Sequence, residues 1–295
     1  MADRVSTIAN YLAPKTVKEA CSYLSKCQGK ARIIAGGTDL MVSIKNKAEE
    51  PACIIDLKTI PELNYIHHDK KGLTIGVMAT IHDVENSPIV SEKFGVLADA
   101  ARQTGSPQVR YMATVIGNIC RAAPSADMAP ALIALDASVR IISTGGERMI
   151  KLEKFFVGPG KSILRADEIC SEIQVPDLPP NTSGVYLKMT AGPSVGIALV
   201  GAAVILTFDS KRTTVADARI VLGAVAPTPL RAVKAENMLK GNVPDDKLIE
   251  KAARAAAAEA KPISDIRSSA EYRKEIVKVL VNRALRQLTN LPDGI

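Results

Sequence analysis

The stretch Arg32-Ile33-Ile34-Ala35-Gly36-Gly37-Thr38-Asp39-Leu40 decides how the chain is read. An apolar run with β character ends in two adjacent glycines, and after a threonine and an aspartate the segment Leu40-Met41-Val42-Ser43-Ile44 predicts the start of a short helix. A strand, a glycine turn and a helix start let the backbone approach a ligand closely and aim several N–H groups at one point, which suits a phosphate or pyrophosphate. The plain alternative is a tight turn. Upstream, Pro14-Lys15-Thr16-Val17-Lys18-Glu19 places Thr16 and Glu19 at capping-box spacing ahead of Ala20, Cys21, Tyr23, Leu24 and Cys27, which predicts a helix to about Gly29. Downstream, Ala52-Cys53-Ile54-Ile55-Asp56-Leu57 reads as a buried strand and completes a small βαβ unit. It is not a Rossmann dinucleotide fold, because Gly-x-Gly-x-x-Gly is absent and the helix between the strands is too short.

A second stretch, Thr114-Val115-Ile116-Gly117-Asn118, precedes Ala123-Pro124-Ser125-Ala126-Asp127-Met128-Ala129-Pro130. At this pair of stretches the chain resembles the FAD-binding medium subunit of the molybdenum-containing hydroxylases, the group of xanthine dehydrogenase and carbon monoxide dehydrogenase. The resemblance reaches Ser269-Ala270-Glu271-Tyr272-Arg273. Residues 227–241, with Pro229, Arg231, Ala235, Glu236, Leu239 and Gly241, also look like that family's C-terminal domain. It implies an α+β architecture: a two-subdomain FAD-binding domain of the PCMH type over residues 1–177, with subdomains at about 1–58 and 59–177, then an α+β CO-dehydrogenase-flavoprotein-like C-terminal domain over 184–290.

The same resemblance implies FAD as cofactor. Ile33, Ile34, Ala35, Gly36, Gly37, Thr38, Asp39 and Leu40 form one glycine loop, and Thr114, Ile116, Gly117 and Asn118 the other; together they would hold the pyrophosphate and ribityl chain. Thr104 and Gly105, in the loop leading to the second stretch, belong with them. Asp127, nine residues past Asn118, would bind the same part of the cofactor. Glu168-Ile169-Cys170 resembles the segment whose last apolar residue lies near the isoalloxazine, and Tyr186-x-Lys188 resembles the aromatic-x-lysine that approaches the ring. A cation there would stabilise negative charge on reduced flavin. The plain alternatives are a helix cap for Asp127, simple burial for Cys170 and a solvated side chain for Lys188.

Two departures from the family pattern stand out. Its loop is Thr-x-Gly-Gly-Asn, and here Ile116 replaces the first glycine; a β-branched residue at positive φ would be strained, so the loop must keep φ negative or rearrange. After Lys188 the family shows arginines and an aspartate, whereas this chain has the neutral Ala191-Gly192-Pro193-Ser194-Val195-Gly196.

Composition sets the bounds. At 295 residues, 47% hydrophobic and 23% charged, the chain is an ordinary globular protein long enough for two cores. No apolar run reaches the ~20 residues of a membrane span. Met1-Ala2-Asp3-Arg4-Val5-Ser6 lacks the apolar region of a secretory signal, so the expected location is cytoplasmic. The net charge of +7 is spread among acids, and aromatics make up 3% with no tryptophan, which argues against a nucleic-acid partner. The five cysteines, Cys21, Cys27, Cys53, Cys120 and Cys170, include no Cys-x-x-Cys and indicate neither a disulfide framework nor an iron–sulfur or zinc site. His67 and His68 point to opposite faces of a strand, so no metal is expected in this chain.

Along the remainder, Tyr65–His68 and Leu73–Val77 read as a hairpin, residues 80–86 and 94–103 as helices, and 103–108 as a loop. Asp127–Leu135 reads as a helix, 138–143 and 148–151 as a hairpin, and 168–175 as a half-buried strand. Asp177-Leu178-Pro179-Pro180-Asn181-Thr182-Ser183-Gly184 marks the domain boundary. A strand opening at Val185–Met189, strands over 197–208 and 213–225, and helices over 231–240, 246–260 and 270–288 follow.

The expected function is electron transfer: FAD takes electrons from a [2Fe-2S] small subunit, supplied by a molybdopterin large subunit, and passes them to NAD or another acceptor. The alternatives are a self-sufficient FAD-dependent reductase similar to UDP-N-acetylenolpyruvoylglucosamine reductase, and a scaffold subunit without flavin. No side chain of this sequence stands out as catalytic.

Overall fold

The computed structural model describes residues 10–192 and 196–291. The readings of Met1–Ser6 and of Pro193, Ser194 and Val195 lie outside the described residues.

The N-terminal unit runs β1 (Asn10–Leu12), α1 (Val17–Lys26), β2 (Ala31–Ile34), α2 (Leu40–Lys45) and β3 (Cys53–Asp56). Its three strands are parallel in the order β1-β3-β2, with Ile33 opposite Ile55, so the β2–α2 turn emerges at the C-terminal edge of a parallel sheet. α1 starts where Thr16 Oγ1 accepts from the Glu19 backbone N–H at 3.1 Å. Glu19 reaches back one residue further than a standard capping box, to the Lys15 N–H at 2.7 Å.

The second unit carries β4 (Ile66–Asp69), β5 (Gly72–Gly76), α3 (Ile81–Asn86), α4 (Pro88–Lys93), α5 (Gly95–Gln103), α6 (Pro107–Met112), α7 (Val115–Arg121), α8 (Met128–Ala134), β6 (Ser138–Ser143), β7 (Gly146–Lys151), β8 (Phe156–Gly158), β9 (Lys161–Ser162) and β10 (Ile169–Val175). Its antiparallel sheet has the order β4-β5-β10-β6-β7. β10 is central and almost wholly buried, whereas its alternating polar residues predict a half-buried strand. The polar members are satisfied internally: Tyr65 Oη donates to Glu172 at 2.6 Å, Gln174 Nε2 donates to Glu172 at 2.7 Å, and Ser171 Oγ donates to the Arg140 carbonyl at 3.3 Å. Residues 107–108, read as loop, open α6, with Ser106 as N-cap and Pro107 in the first turn. The Thr114–Asn118 stretch is the first turn of α7 rather than a loop. Ile116 therefore has helical, negative φ and is buried in the main core, which resolves the strain expected there.

The C-terminal unit comprises β11 (Thr182–Thr190), β12 (Ala198–Phe208), β13 (Val215–Gly223), β14 (Leu230–Arg231), α9 (Val233–Leu239), α10 (Asp246–Glu259) and α11 (Ala270–Thr289). The end of the boundary stretch, from Thr182, already belongs to β11. The antiparallel sheet β11-β12-β13-β14 has two buried faces. On β12, Ala203 and Ile205 join the core of the second unit, packed under α5 and α8, while Ala202, Val204 and Leu206 join the core beneath α9–α11. The two-residue period of a strand thus serves two interiors, which explains why residues 198–206 read as one continuous apolar run. Among the described residues no helix is long and apolar enough to cross a membrane.

Candidate functional site: a cavity between the two glycine-bearing stretches

A cavity of about 620 Å³ opens between the N-terminal unit and the second unit. Its floor is the β2–α2 turn, residues Ile33 to Leu40, and its opposite wall is Thr104, Thr114, Ile116, Gly117, Asn118 and Cys170. Gly36 permits the close approach of these walls: a Cβ there would lie 1.9 Å from the Met112 carbonyl oxygen. Gly37 adopts φ +73°, a left-handed conformation that favours glycine. α2 begins directly behind the pair, with the Gly37 and Asp39 carbonyls accepting from the Met41 and Ser43 N–H groups. The Asp39 side chain makes no cap bond to α2, and its Oδ1 lies 3.8 Å from Arg121 Nε.

Across the cavity, Thr114 Oγ1 accepts from the Gly117 N–H at 3.0 Å and so caps α7, leaving its own O–H as a donor. Asn118 is half-buried, and its Oδ1 is buried with no hydrogen-bond partner within the protein. An amide acceptor withdrawn from water without a partner costs about 1–3 kcal/mol, so one in a residue that lines a cavity marks a candidate partner for a ligand hydroxyl. α6 is pinned beside this wall because Arg110 pairs with Glu85 at 2.7 and 3.2 Å and also donates to the carbonyls of Thr104 and Gly105.

Of the residues expected to surround one ligand, Gly105, Asp127, Tyr186 and Lys188 are not in the lining. Gly105 sits in the turn before α6. The other three form a buried polar cluster behind the wall. Asp127 makes no side-chain cap to α8; it accepts instead from Tyr186 Oη and from Lys188 Nζ, both at 2.8 Å. Lys188 is thus not solvated: its Nζ also donates to the Gln103 carbonyl at 2.8 Å, and Gln103 Nε2 donates to the Tyr186 carbonyl at 2.9 Å. Thr104, the next residue, lines the cavity, so one peptide separates the cluster from the wall. Burial pushes the Asp127 carboxyl up, against the lowering effects of Lys188 and Tyr186. Burial, and then Asp127, push the Tyr186 hydroxyl well up.

The charged rim is absent from the sequence reading. Arg32, Arg121 and Arg165 line the cavity together with Glu49 and Glu168. Arg121 follows Asn118 by three residues, so reading 115–121 as a helix would have placed both on one face. Glu168 is locked by Arg148 at 2.8 and 2.9 Å and by the Arg165 N–H at 2.8 Å. Burial raises its carboxyl pKa, but these donors and the two arginine charges outweigh burial and hold it below the usual glutamate range.

Comparison with known proteins agrees with this geometry. Residues 6–178 match the family model of the FAD binding domain in molybdopterin dehydrogenase, and residues 187–288 match the CO dehydrogenase flavoprotein C-terminal domain. The carbon monoxide dehydrogenase medium chain of Hydrogenophaga pseudoflava is 33% identical over 275 residues, covering 93% of this chain and 95% of the relative. The glyceraldehyde dehydrogenase medium chain of Sulfolobus acidocaldarius is 32% identical, covering 95% and 98%. The nicotine 6-hydroxylase medium subunit of Paenarthrobacter nicotinovorans is also 32% identical, covering 93% and 95%. Among solved structures, the H. pseudoflava carbon monoxide dehydrogenase lacking the Mo-pyranopterin moiety of its cofactor superposes with a TM-score of 0.91 at 33% identity, over 96% of this chain and 98% of that one. Quinoline 2-oxidoreductase from Pseudomonas putida 86 gives 0.89 at 27% identity, over 95% and 96%. The two glycine-bearing walls, the unpartnered amide between them and full-length matches on both halves converge: the chain is an oxidoreductase subunit that belongs to the family of FAD-binding medium subunits of molybdenum-containing hydroxylases.

Proposed function

We propose that the cavity between the β2–α2 turn and α7 holds FAD, and that the chain is the electron-transfer link between a [2Fe-2S] small subunit and a final acceptor, NAD or another, with a molybdopterin large subunit as the ultimate donor. The observation that carries the cofactor placement is Asn118 Oδ1, a buried acceptor with no partner on a cavity wall. FAD, when bound, can take up electrons singly and release them singly or as a pair, which suits a junction between iron–sulfur clusters and a two-electron acceptor.

The chain's residues have definite tasks in this reading. The Ala35–Thr38 backbone receives the pyrophosphate without a side chain intervening, and Arg32, Arg121 and Arg165 supply positive charge at the rim. Thr114 offers a hydroxyl donor, and Asn118 an acceptor for a ribityl or ribose hydroxyl. Ile116, Ile169 and Cys170 supply apolar surface. Asp127, Tyr186 and Lys188 act behind the wall, fixing the 103–104 peptide and setting a paired charge near the site.

The relatives share this subunit although they are named for substrates as unlike as carbon monoxide, glyceraldehyde and nicotine. That favours a chain that touches no organic substrate. The cysteine spacing offers no four-ligand cluster motif, so the iron–sulfur centres belong to a separate chain.

Two measurements test the reading. The isolated chain with FAD should show a flavin absorption band that a strong chemical donor bleaches and that purines, aldehydes or aromatic substrates do not; bleaching of the lone subunit by such a substrate would refute the relay. Asn118→Leu should weaken FAD binding roughly 5- to 150-fold while leaving the flavin-free protein as stable or more so, because the orphaned acceptor is gone. Unchanged affinity would remove Asn118 from the site.

A further inference from the structure

We propose that Lys58 is a positioning residue for the cofactor: its ammonium holds the Ala35 carbonyl outside the cavity and so turns the Gly36 N–H toward the pyrophosphate. The inference rests on FAD occupying this cavity. It starts from the register of the parallel sheet. Ile34 stands opposite Asp56, so the segments that leave β2 and β3 emerge side by side at one edge. After β2 comes the glycine turn. After β3, Asp56 accepts from the Lys58 N–H at 2.9 Å and caps a single 3₁₀ turn over Leu57–Thr59. Within that turn Leu57 is buried and lines the cavity, while Lys58 is exposed and lies outside the lining.

Two contacts fix the ammonium. Nζ lies 2.8 Å from Asp56 Oδ1 and donates to the Ala35 carbonyl at 3.4 Å. Asp56 is a firm anchor, because it is 3% exposed and its Oδ2 also accepts from Tyr11 Oη on β1. Burial alone would raise the Asp56 carboxyl pKa, but Lys58 and Tyr11 as donors hold it below the usual aspartate range, so it remains a carboxylate. In a trans peptide the C=O and the following N–H point in opposite directions. The Gly36 N–H therefore points away from Lys58. Gly36 lines the cavity, and among the described residues its N–H has no hydrogen-bond partner.

The opposite wall is held in the same manner. Arg110 takes the carbonyls of Thr104 and Gly105, and Lys188 takes the carbonyl of Gln103. None of the three cations lines the cavity. Each draws main-chain oxygens outward, which lowers the repulsion that an anionic ligand would meet.

The test titrates the full chain, stripped of flavin, with FAD and reads flavin fluorescence. Lys58→Met should raise the Kd roughly 3- to 10-fold, the worth of one hydrogen bond. The rise should persist in about 1 M salt, where the screening length is about 3 Å and attraction between separated charges is gone. Lys58→Arg, which keeps a charged donor at this place, should recover most of the affinity. Tyr11→Phe is the structural control: it removes a hydrogen bond from the same carboxylate without touching Ala35, and should lower the melting temperature with the Kd unchanged. A rise that vanishes in high salt, that Tyr11→Phe matches, or that Lys58→Arg fails to recover overturns the positioning role. An unchanged Kd in Lys58→Met overturns it too, and leaves the cavity assignment standing where Asn118→Leu still weakens FAD binding. If neither variant changes the Kd, FAD lies elsewhere and both readings fall.

Discussion

Replacing Gly36 by alanine tests whether the walls of the cavity must touch at this residue. An alanine Cβ would sit 1.9 Å from the Met112 carbonyl oxygen, 2.7 Å from its carbon and 2.9 Å from the Ala113 Cα; real Cβ atoms keep 3.0 Å or more, which leaves about 1.1 Å to be made up. The obstacle is backbone, not a side chain that could swing away. It is also anchored, because the Ala113 N–H donates to the Val109 carbonyl at 2.7 Å, the Ile81 N–H donates to the Ala113 carbonyl at 2.9 Å, and Arg110 ties α6 to Glu85. The glycine turn must therefore retreat, dragging the proposed pyrophosphate seat with it. Overpacking of this kind costs about 1–3 kcal/mol. If the turn moves back on binding, that cost appears as a loss of FAD affinity of roughly 5- to 150-fold. Titration by flavin fluorescence measures it directly, since the chain has no tryptophan to interfere. Gly95→Ala is the control: a Cβ there meets nothing within 4 Å, and the melting temperature and FAD affinity should stay level or rise slightly. Wild-type affinity in Gly36→Ala would refute the idea that the walls meet at this glycine. Gly37→Val attacks the same turn differently, through its φ of +73° rather than through a backbone clash, and should abolish FAD binding.

Lys188→Met should destabilise the protein by about 3–5 kcal/mol, because it strands the buried Asp127 carboxylate; thermal denaturation of the single variant and of Asp127→Asn/Lys188→Met should show the double variant recovering part of the loss. Ile116→Gly, which restores the family's glycine pair, should cost on the order of 3 kcal/mol or more, since it opens a core cavity and adds a helix glycine; an unchanged denaturant midpoint would show that Ile116 is not packed as described. Glu168 is held below its usual pKa, so its contribution to stability is present above the unfolded-state value of about 4.3 and is lost as pH falls through the lower folded-state value. Glu168→Gln should therefore unfold less steeply on acidification below that pH, and parallel acid-unfolding curves would contradict the pairing with Arg148.

Local chemistry made much of the site legible. The strand, glycine pair and helix start at 32–44, the Thr16 cap and the helix from Asp127 follow from short-range rules and stand within a residue or two of where those rules put them. What escaped was set by tertiary neighbours. β10 looks amphipathic because Glu172 and Ser171 are polar, yet Tyr65 and the Arg140 carbonyl, distant in sequence, make burial tolerable. Thr114–Asn118 reads as a loop through its resemblance to the family's Thr-x-Gly-Gly-Asn loop, while the Thr114 cap makes it a helix start. α6 carried a readable signal in Ser106-Pro107. The resemblance aims Lys188 at the flavin ring, with a solvated side chain as the plain alternative, and nothing in its strand announces the Asp127 it pairs with, 61 positions away.

The alternation along β12 has a consequence for how such a chain can change. Ala203 and Ile205 answer to the cofactor side and Ala202, Val204 and Leu206 to the helical side, so this strand is a party wall and not a hinge between independent rooms. Cutting the chain between 177 and 184 should yield two pieces that each present an uncovered apolar face, and the intact protein should melt in a single transition. Swapping the C-terminal half between relatives would leave the partner of α5 and α8 mismatched unless residues 186, 203, 205 and 221 are kept as they stand in the retained N-terminal part's own chain. A substitution made to tune contacts under α11 is then felt, through one layer of strand, by α5 and α8 on the other side of the sheet.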